Sequence, residues 1–215
     1  EYLSVGDRAY AYIEIHFFLG YLALALVAFR VIWGFVGPKH ARFSNFLAGA
    51  KKLLDYAGTV LRRDARPSIG HNPLGGWMVV LMLAMVGSQA FTGLFMIDNS
   101  DIYPAIYHGS ASGELVSIFS RFHRIIFDVL LWVICLHVLA ILFYVFYKRQ
   151  NLVQPMITGK KPATVVPESE AIAGSQLLKA LVVALVCAGG IYALIKFAPP
   201  PPAVDAVSIN CTGTR

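Results

Sequence analysis

Charge is scarce in this chain: 14% of its 215 residues are Asp, Glu, Lys or Arg, well below the roughly 25% of an ordinary soluble domain. Cysteine is scarcer still. Cys135 and Cys187 sit inside apolar runs and Cys211 lies near the end, with no CxxC or other metal-type spacing. An odd count also gives no disulfide framework. No Walker loop, Rossmann fingerprint or nucleophile–base pair is visible, so substrate chemistry belongs to partners. What the chain has in excess is apolar surface: 57% of residues are hydrophobic and the mean hydropathy is +0.64. A chain this short cannot hide that surface in one water-soluble core. A disordered tail, a collagen-like chain and a secreted disulfide scaffold are excluded by the same composition. The chain reads as an all-α integral membrane protein.

Four stretches are long enough to cross a bilayer core, which takes about 20 apolar residues. The first runs from Ile15 to Val36 and carries Arg30. The second, Trp77 to Ile97, has no charge. The third, Ile125 to Tyr147, holds Asp128 and His137. The fourth, Leu177 to Phe197, has Lys179 and Lys196 near its ends, where they can snorkel to the interface. Only helices let an open chain satisfy its backbone in lipid, so a bundle of four transmembrane helices is expected.

The loops set the direction. Lys39, Arg42, Lys51, Lys52, Arg62, Arg63 and Arg66 lie between the first two spans, and Lys148, Arg149, Lys160 and Lys161 between the last two. The intervening loop holds Asp98, Asp101 and Glu114 and no Lys or Arg before Arg121. The positive-inside rule then makes both basic loops cytoplasmic and puts both termini on the opposite side of the membrane. The net charge of +6 is thereby assigned to anionic lipid and topology, not to nucleic acid.

Phe43, Phe46, Leu47, Leu53, Leu54, Val60 and Leu61 recur at three- and four-residue steps among the basic residues. That spacing predicts an amphipathic helix on the inner membrane surface, broken at 66–70 before the second span. Pro199 to Pro202 end the last span, which divides the chain into a membrane domain over 1–198 and a Pro-rich periplasmic tail over 199–215. Glu1 is not a methionine and no signal peptide is present, so an upstream segment is expected to have been removed or to lie outside this sequence.

Ionisable groups at membrane depth are costly and mark function by default. His16 sits just inside the outer end of the first span. His123 sits at the outer end of the third, and His137 follows 14 residues later. On a helix those two project from nearly the same face, ~21 Å apart. The first and third spans run in the same direction, so His16 and His123 share a depth and could clamp one b-type haem through neutral imidazoles. Gly20, one turn after His16, leaves a notch where a porphyrin can approach the backbone. His137 lies in the inner half with no intramembrane histidine level with it. His40 and His71, in the first basic loop, read singly as interfacial histidines, though either could fold back towards His137. His108 is expected to be solvated. Glu14 and Asp128 could serve a proton path or pair with Arg121 or Arg124, and Arg30 could meet a propionate, a quinol headgroup or lipid.

The stretches HFFLGY at 16–21, FRVIWGFVGPKHARF at 29–43, GHNPLGG at 70–76 and NLVQPMITGK at 151–160 resemble the bacterial di-haem transmembrane cytochrome b family. Its best-known members are the membrane cytochrome b subunits of nickel-iron hydrogenases. The resemblance runs from about His16 to Lys161. It implies one or two haem b groups, with one haem held by His16 and His123. It implies a second pair joining His137 to a histidine on the family's first helix, which this sequence lacks. It also implies an electron-transfer subunit of a larger complex, working between membrane quinone and a periplasmic c-type cytochrome or hydrogenase. Two other classes stay open at this stage: a small proton or ion transporter using Glu14, Asp128 and His137, and a non-redox membrane anchor.

Overall fold

The structure, a computed structural model, describes residues 5–62, 70–96, 104–160 and 167–200, with 171 and 173 excepted. Asp98 and Asp101, Arg63 and Arg66, the start of the 66–70 break, Lys161, Cys211 and the tail beyond 200 lie outside the described residues.

Among the described residues the architecture is all α. In chain order come α1 (Val5–Val36), a 3₁₀ turn at Lys39–Ala41, α2 (Phe43–Phe46), α3 (Ala50–Thr59), α4 (Pro73–Gly93), α5 (Gly113–Leu142), a π-helical turn at Phe143–Tyr147 that continues α5, α6 (Val153–Thr158) and α7 (Leu177–Lys196). Apolar segments within Tyr10–Val36, Pro73–Gly93, Gly113–Tyr147 and Leu177–Lys196 are each long enough to span a bilayer. The chain is a multi-pass membrane protein, with four spans among the described residues.

Several span boundaries differ from the sequence expectation, the first helix beginning at Val5. The third helix begins at Gly113, not Ile125, because Ser112 caps it by accepting the Leu115 N–H at 3.4 Å and Glu114 suits the positive end of the helix dipole. At 35 residues this rod is ~52 Å long, so its first turns stand clear of a hydrocarbon core of about 30 Å. The second helix starts at Pro73, where Asn72 accepts the Gly75 N–H at 2.7 Å, and ends at Gly93 instead of Ile97. The expected amphipathic helix is also divided. Leu47 to Gly49 are extended or unwound, which separates the single turn of α2 from α3.

Consecutive spans run antiparallel. At one end Lys179 Nζ, early in α7, donates to the Val36 carbonyl closing α1 at 3.3 Å. At the other, Thr92 near the end of α4 meets His123 early in α5. The helix α4 is central, packed against α1 and α5, while α7 lies on α1 and α3 rests on α4. The α3 contact is extended by a hydrogen bond of 2.5 Å between the Tyr56 and Tyr144 hydroxyls. Outward faces are apolar: Trp132 is 77% exposed and Leu185 63%, which suits contact with lipid tails, not water.

The glycine-rich motifs close one end of the bundle. Gly34 lets the Phe43 ring lie directly on α1, and Gly76 lets the Phe46 backbone lie on α4, where an added Cβ would come within 2.7 Å of the Phe46 carbonyl oxygen. Arg30 stands over both rings, 5.1 Å from Phe43 and 5.5 Å from Phe46, and donates to the Ala41 carbonyl at 3.3 Å. Trp77 Nε1 donates to the Ala48 carbonyl at 2.9 Å. Because the obstacle at Gly76 is backbone, Gly76→Val should cost about 1–3 kcal/mol and loosen α2 and α3 from α4. Hydrogen exchange across 43–59 would detect this; unchanged protection would contradict it.

A second clasp joins the first loop to the segment before α7. Lys39 Nζ lies 2.7 Å from Glu170 Oε2, and His40 Nε2 donates to the Glu170 carbonyl at 2.8 Å. The Lys39 hydrogen bond and charge, with His40 adding less, hold the Glu170 carboxyl below its usual range. A carboxyl with a depressed folded-state value stabilises its contact above the normal pKa and loses it as pH falls through the lowered one. Exchange in 168–176, corrected for intrinsic rates, should therefore rise only in acid. Glu170→Gln should raise it at neutral pH, and a pH-independent variant with wild-type exchange would refute the clasp.

Candidate functional site

Away from the basic loops, α1, α4 and α5 bring a small polar group together in an apolar setting. The helices α1 and α5 both pack on α4 and scarcely on each other. Across the resulting gap the His16 and His123 rings face one another, with centroids 6.2 Å apart and planes inclined at 71°. The equal depth expected from sequence is thus realised as direct proximity.

The two rings are held differently. His123 is half-buried against α4. An added Cβ at Gly93 would lie 3.1 Å from His123 Cε1, so the missing side chain is what lets the imidazole seat there. The Thr92 hydroxyl directs its proton to the Ser88 carbonyl at 2.8 Å, with the Gln89 carbonyl at 3.1 Å. Its oxygen is then an acceptor for His123 Nδ1 at 3.2 Å. With Nδ1 carrying the proton, His123 Nε2 keeps its lone pair for a metal. His16 is exposed into the gap beside Phe17, 6.4 Å between ring centroids. Nothing lies within 4 Å of where a Cβ on Gly20 would stand, so the notch expected there is open.

An aromatic group closes the same end. Phe91 of α4 and Phe95 just beyond its end meet Phe119, one turn before His123, at 6.0 and 5.1 Å, and Tyr107 sits 5.9 Å from Phe95. Tyr107 Oη donates to the Leu194 carbonyl at 2.9 Å, which ties this loop to α7. Sequence reading missed Gln89, Thr92 and Gly93. The available signal was three polar residues, Ser88, Gln89 and Thr92, within one turn of an otherwise apolar span. Gln89 Oε1 is buried and lacks a hydrogen-bond partner among the described residues, a costly arrangement that an arriving donor would relieve.

The remaining expected residues fall elsewhere. His137 projects from α5 nearly four turns beyond His123. His71 lies at the start of α4 with its ring 4.9 Å from Phe46, and His40 is engaged by Glu170. Arg30 belongs to the Phe43–Phe46 knot. His108 is not merely solvated: it is half-buried, with Nδ1 donating to the Phe95 carbonyl at 3.3 Å. The alternative of Glu14 or Asp128 pairing with Arg121 or Arg124 is not seen among the described residues, where both acids are exposed.

The donor chemistry fits a haem. Metal–imidazole bonds are about 2 Å long, so two imidazoles on opposite sides of one metal have ring centres about 6 Å apart once the ring half-widths are added. The observed separation meets that requirement, and the open notch at Gly20 gives a flat group somewhere to lie. A four-span helical membrane protein with such a pair is of the b-type cytochrome class. The sequence profile of the prokaryotic cytochrome b561 family matches residues 2–159, and the chain belongs to that family. It is an electron-transfer protein whose cofactor is haem b. A relative from Rhizobium leguminosarum bv. viciae, "Probable Ni/Fe-hydrogenase B-type cytochrome subunit", is 29% identical over 161 residues, covering 68% of this chain and 67% of its own length. No solved structure matches the chain.

Proposed function

We propose that this cytochrome relays electrons across the bacterial inner membrane between the quinone pool and a periplasmic redox partner, a hydrogenase or a c-type cytochrome. His16 and His123 would hold a haem b near the periplasmic face. The observation that carries this reading is their 6.2 Å separation across the gap between α1 and α5. When bound, the haem supplies a one-electron iron couple. The protein's part is to fix the imidazoles and exclude water. Thr92 holds His123 in the tautomer that offers Nε2, Gly93 and Gly20 admit flat groups against two helix backbones, and the Phe91–Phe95–Phe119 cluster covers the site.

His137 marks an inner level on the same face of α5, where a second haem would be held. Arg30 and His71 belong to the same half and would serve its propionates or a quinol headgroup. The hydrogenase partner rests on the name of the Rhizobium relative, and the orientation rests on the basic loops at the Lys39 and Lys148 ends. A transporter would favour helices broken near the midplane. Here α1, α4 and α7 run unbroken, and α5 departs from α geometry only in its last turn, at Phe143–Tyr147.

The test is an optical spectrum with haem stoichiometry on purified protein, together with reduction by quinol in membranes. The reading expects low-spin b haem reduced by quinol, and a cysteine placed between 104 and 112 labelled by an impermeant reagent in intact cells. Absence of haem, or labelling only after lysis, would overturn the function or the orientation respectively.

A further inference from the structure

The clasp at the basic end borders a cavity that the electron-transfer reading does not use. It has a volume of about 350 Å³ and lies between the end of α1 and the start of α7. Lys39, Arg42 and Lys179 line it against the single carboxylate of Glu170, with Gln176 and Ile172 completing the wall. These cations are only partly spent. Lys39 pairs with Glu170, Arg42 Nε donates to the Gly37 carbonyl at 2.7 Å, and Lys179 donates to the Val36 carbonyl at 3.3 Å. An arginine carries five N–H donors and a lysine three, so most of the donors remain for a ligand.

The depth of the cavity selects that ligand. Val36 ends one spanning segment and Leu177 begins another, so the cavity lies at the boundary where headgroups sit. On the adjoining turns Phe35 is 70% exposed, Leu178 76% and Leu181 54%. An excess of cations over acid at the interface, continuous with an apolar strip along the helices, is complementary to an anionic headgroup above acyl chains. The bland role of Lys179 and Arg42, satisfying the last carbonyls of α1, uses one donor from each and leaves the cavity's charge unanswered. We propose that this cavity binds the phosphate of an anionic phospholipid.

The full chain would be purified in detergent, exposed to equal amounts of phosphatidylglycerol and phosphatidylcholine, and its retained lipid counted by native mass spectrometry. Wild type should retain phosphatidylglycerol selectively, by about fivefold for each engaged cation. Lys179→Gln should reduce the preference. Gln176→Glu should reduce it by a similar factor without removing any hydrogen bond seen for that side chain, and neutralising Lys51 and Lys52 on α3 should leave it intact. Helical circular dichroism establishes that each variant is folded. Equal retention of the two lipids, or a preference undiminished in Gln176→Glu, overturns the site. Inorganic phosphate that stabilises wild type, where phosphatidylglycerol shows no preference, overturns the lipid as occupant. Haem content and quinol reduction are read on the same samples, so loss of the electron-transfer reading is distinguishable from loss of this one.

Discussion

His123→Ala should remove one haem per chain, seen as a fall of one equivalent in the pyridine haemochrome yield. The substitution deletes the imidazole offering Nε2 and leaves the Thr92 hydroxyl oxygen facing an empty space. No spare histidine can move in. His108 is bonded to the Phe95 carbonyl, and His137 is nearly four turns away along α5. His16→Ala should remove the same haem, since both rings would bind one iron. If His137 holds a second haem, that haem should survive both changes and give the residual spectrum. An unchanged yield in His123→Ala would refute the ligand assignment.

Gly93→Leu should be nearly as damaging to haem loading while leaving the protein in the membrane. A Cβ at this position stands 3.1 Å from His123 Cε1 and 3.5 Å from Nδ1, so the rest of a leucine side chain would occupy the ring's place. The imidazole must then swing off α4 and give up the Thr92 oxygen, which costs about 1 kcal/mol for the hydrogen bond alone. It also loses the alignment of Nε2 across the gap. Leucine is a better helix former than glycine, so helicity should not fall. Gly20→Leu is the companion test: the protein offers no obstacle there within 4 Å, and a defect confined to haem-loaded protein would locate the porphyrin edge. Normal loading in Gly93→Leu would show that His123 does not need its seat on α4.

Hydropathy made the four spans legible, and charge made their alternation legible. Because the first and third spans are parallel, the pairing of His16 with His123 followed from depth alone. The start of α5 did not, since residues 113–124 mix Glu114, Arg121 and Arg124 with apolar positions, which interrupts the hydropathy signal. The division of α2 from α3 was hidden because their apolar spacing persists across the break at Leu47 to Gly49. Contacts between segments distant in sequence were also out of reach. Thr92 meets His123 across 31 residues and His40 meets Glu170 across 130. Residue types near such contacts can suggest polarity, but they cannot specify which partner the packing brings near.

One uninterrupted helix carries both His123 and His137, so their spacing behaves as a ruler. Repacking of neighbouring helices, or docking of a partner at one end, can tilt α5 but cannot slide one histidine relative to the other. The ~21 Å interval is set by 14 steps of backbone rise. Were haems held at both levels, the electron-tunnelling distance between them would be decoupled from the plasticity of the surrounding bundle. Altering that distance requires inserting or deleting residues, and a single insertion would swing His137 about 100° around the helix axis. Length variation between these two positions is therefore tolerable only near whole turns, which makes the interval far more constrained than the apolar residues filling it.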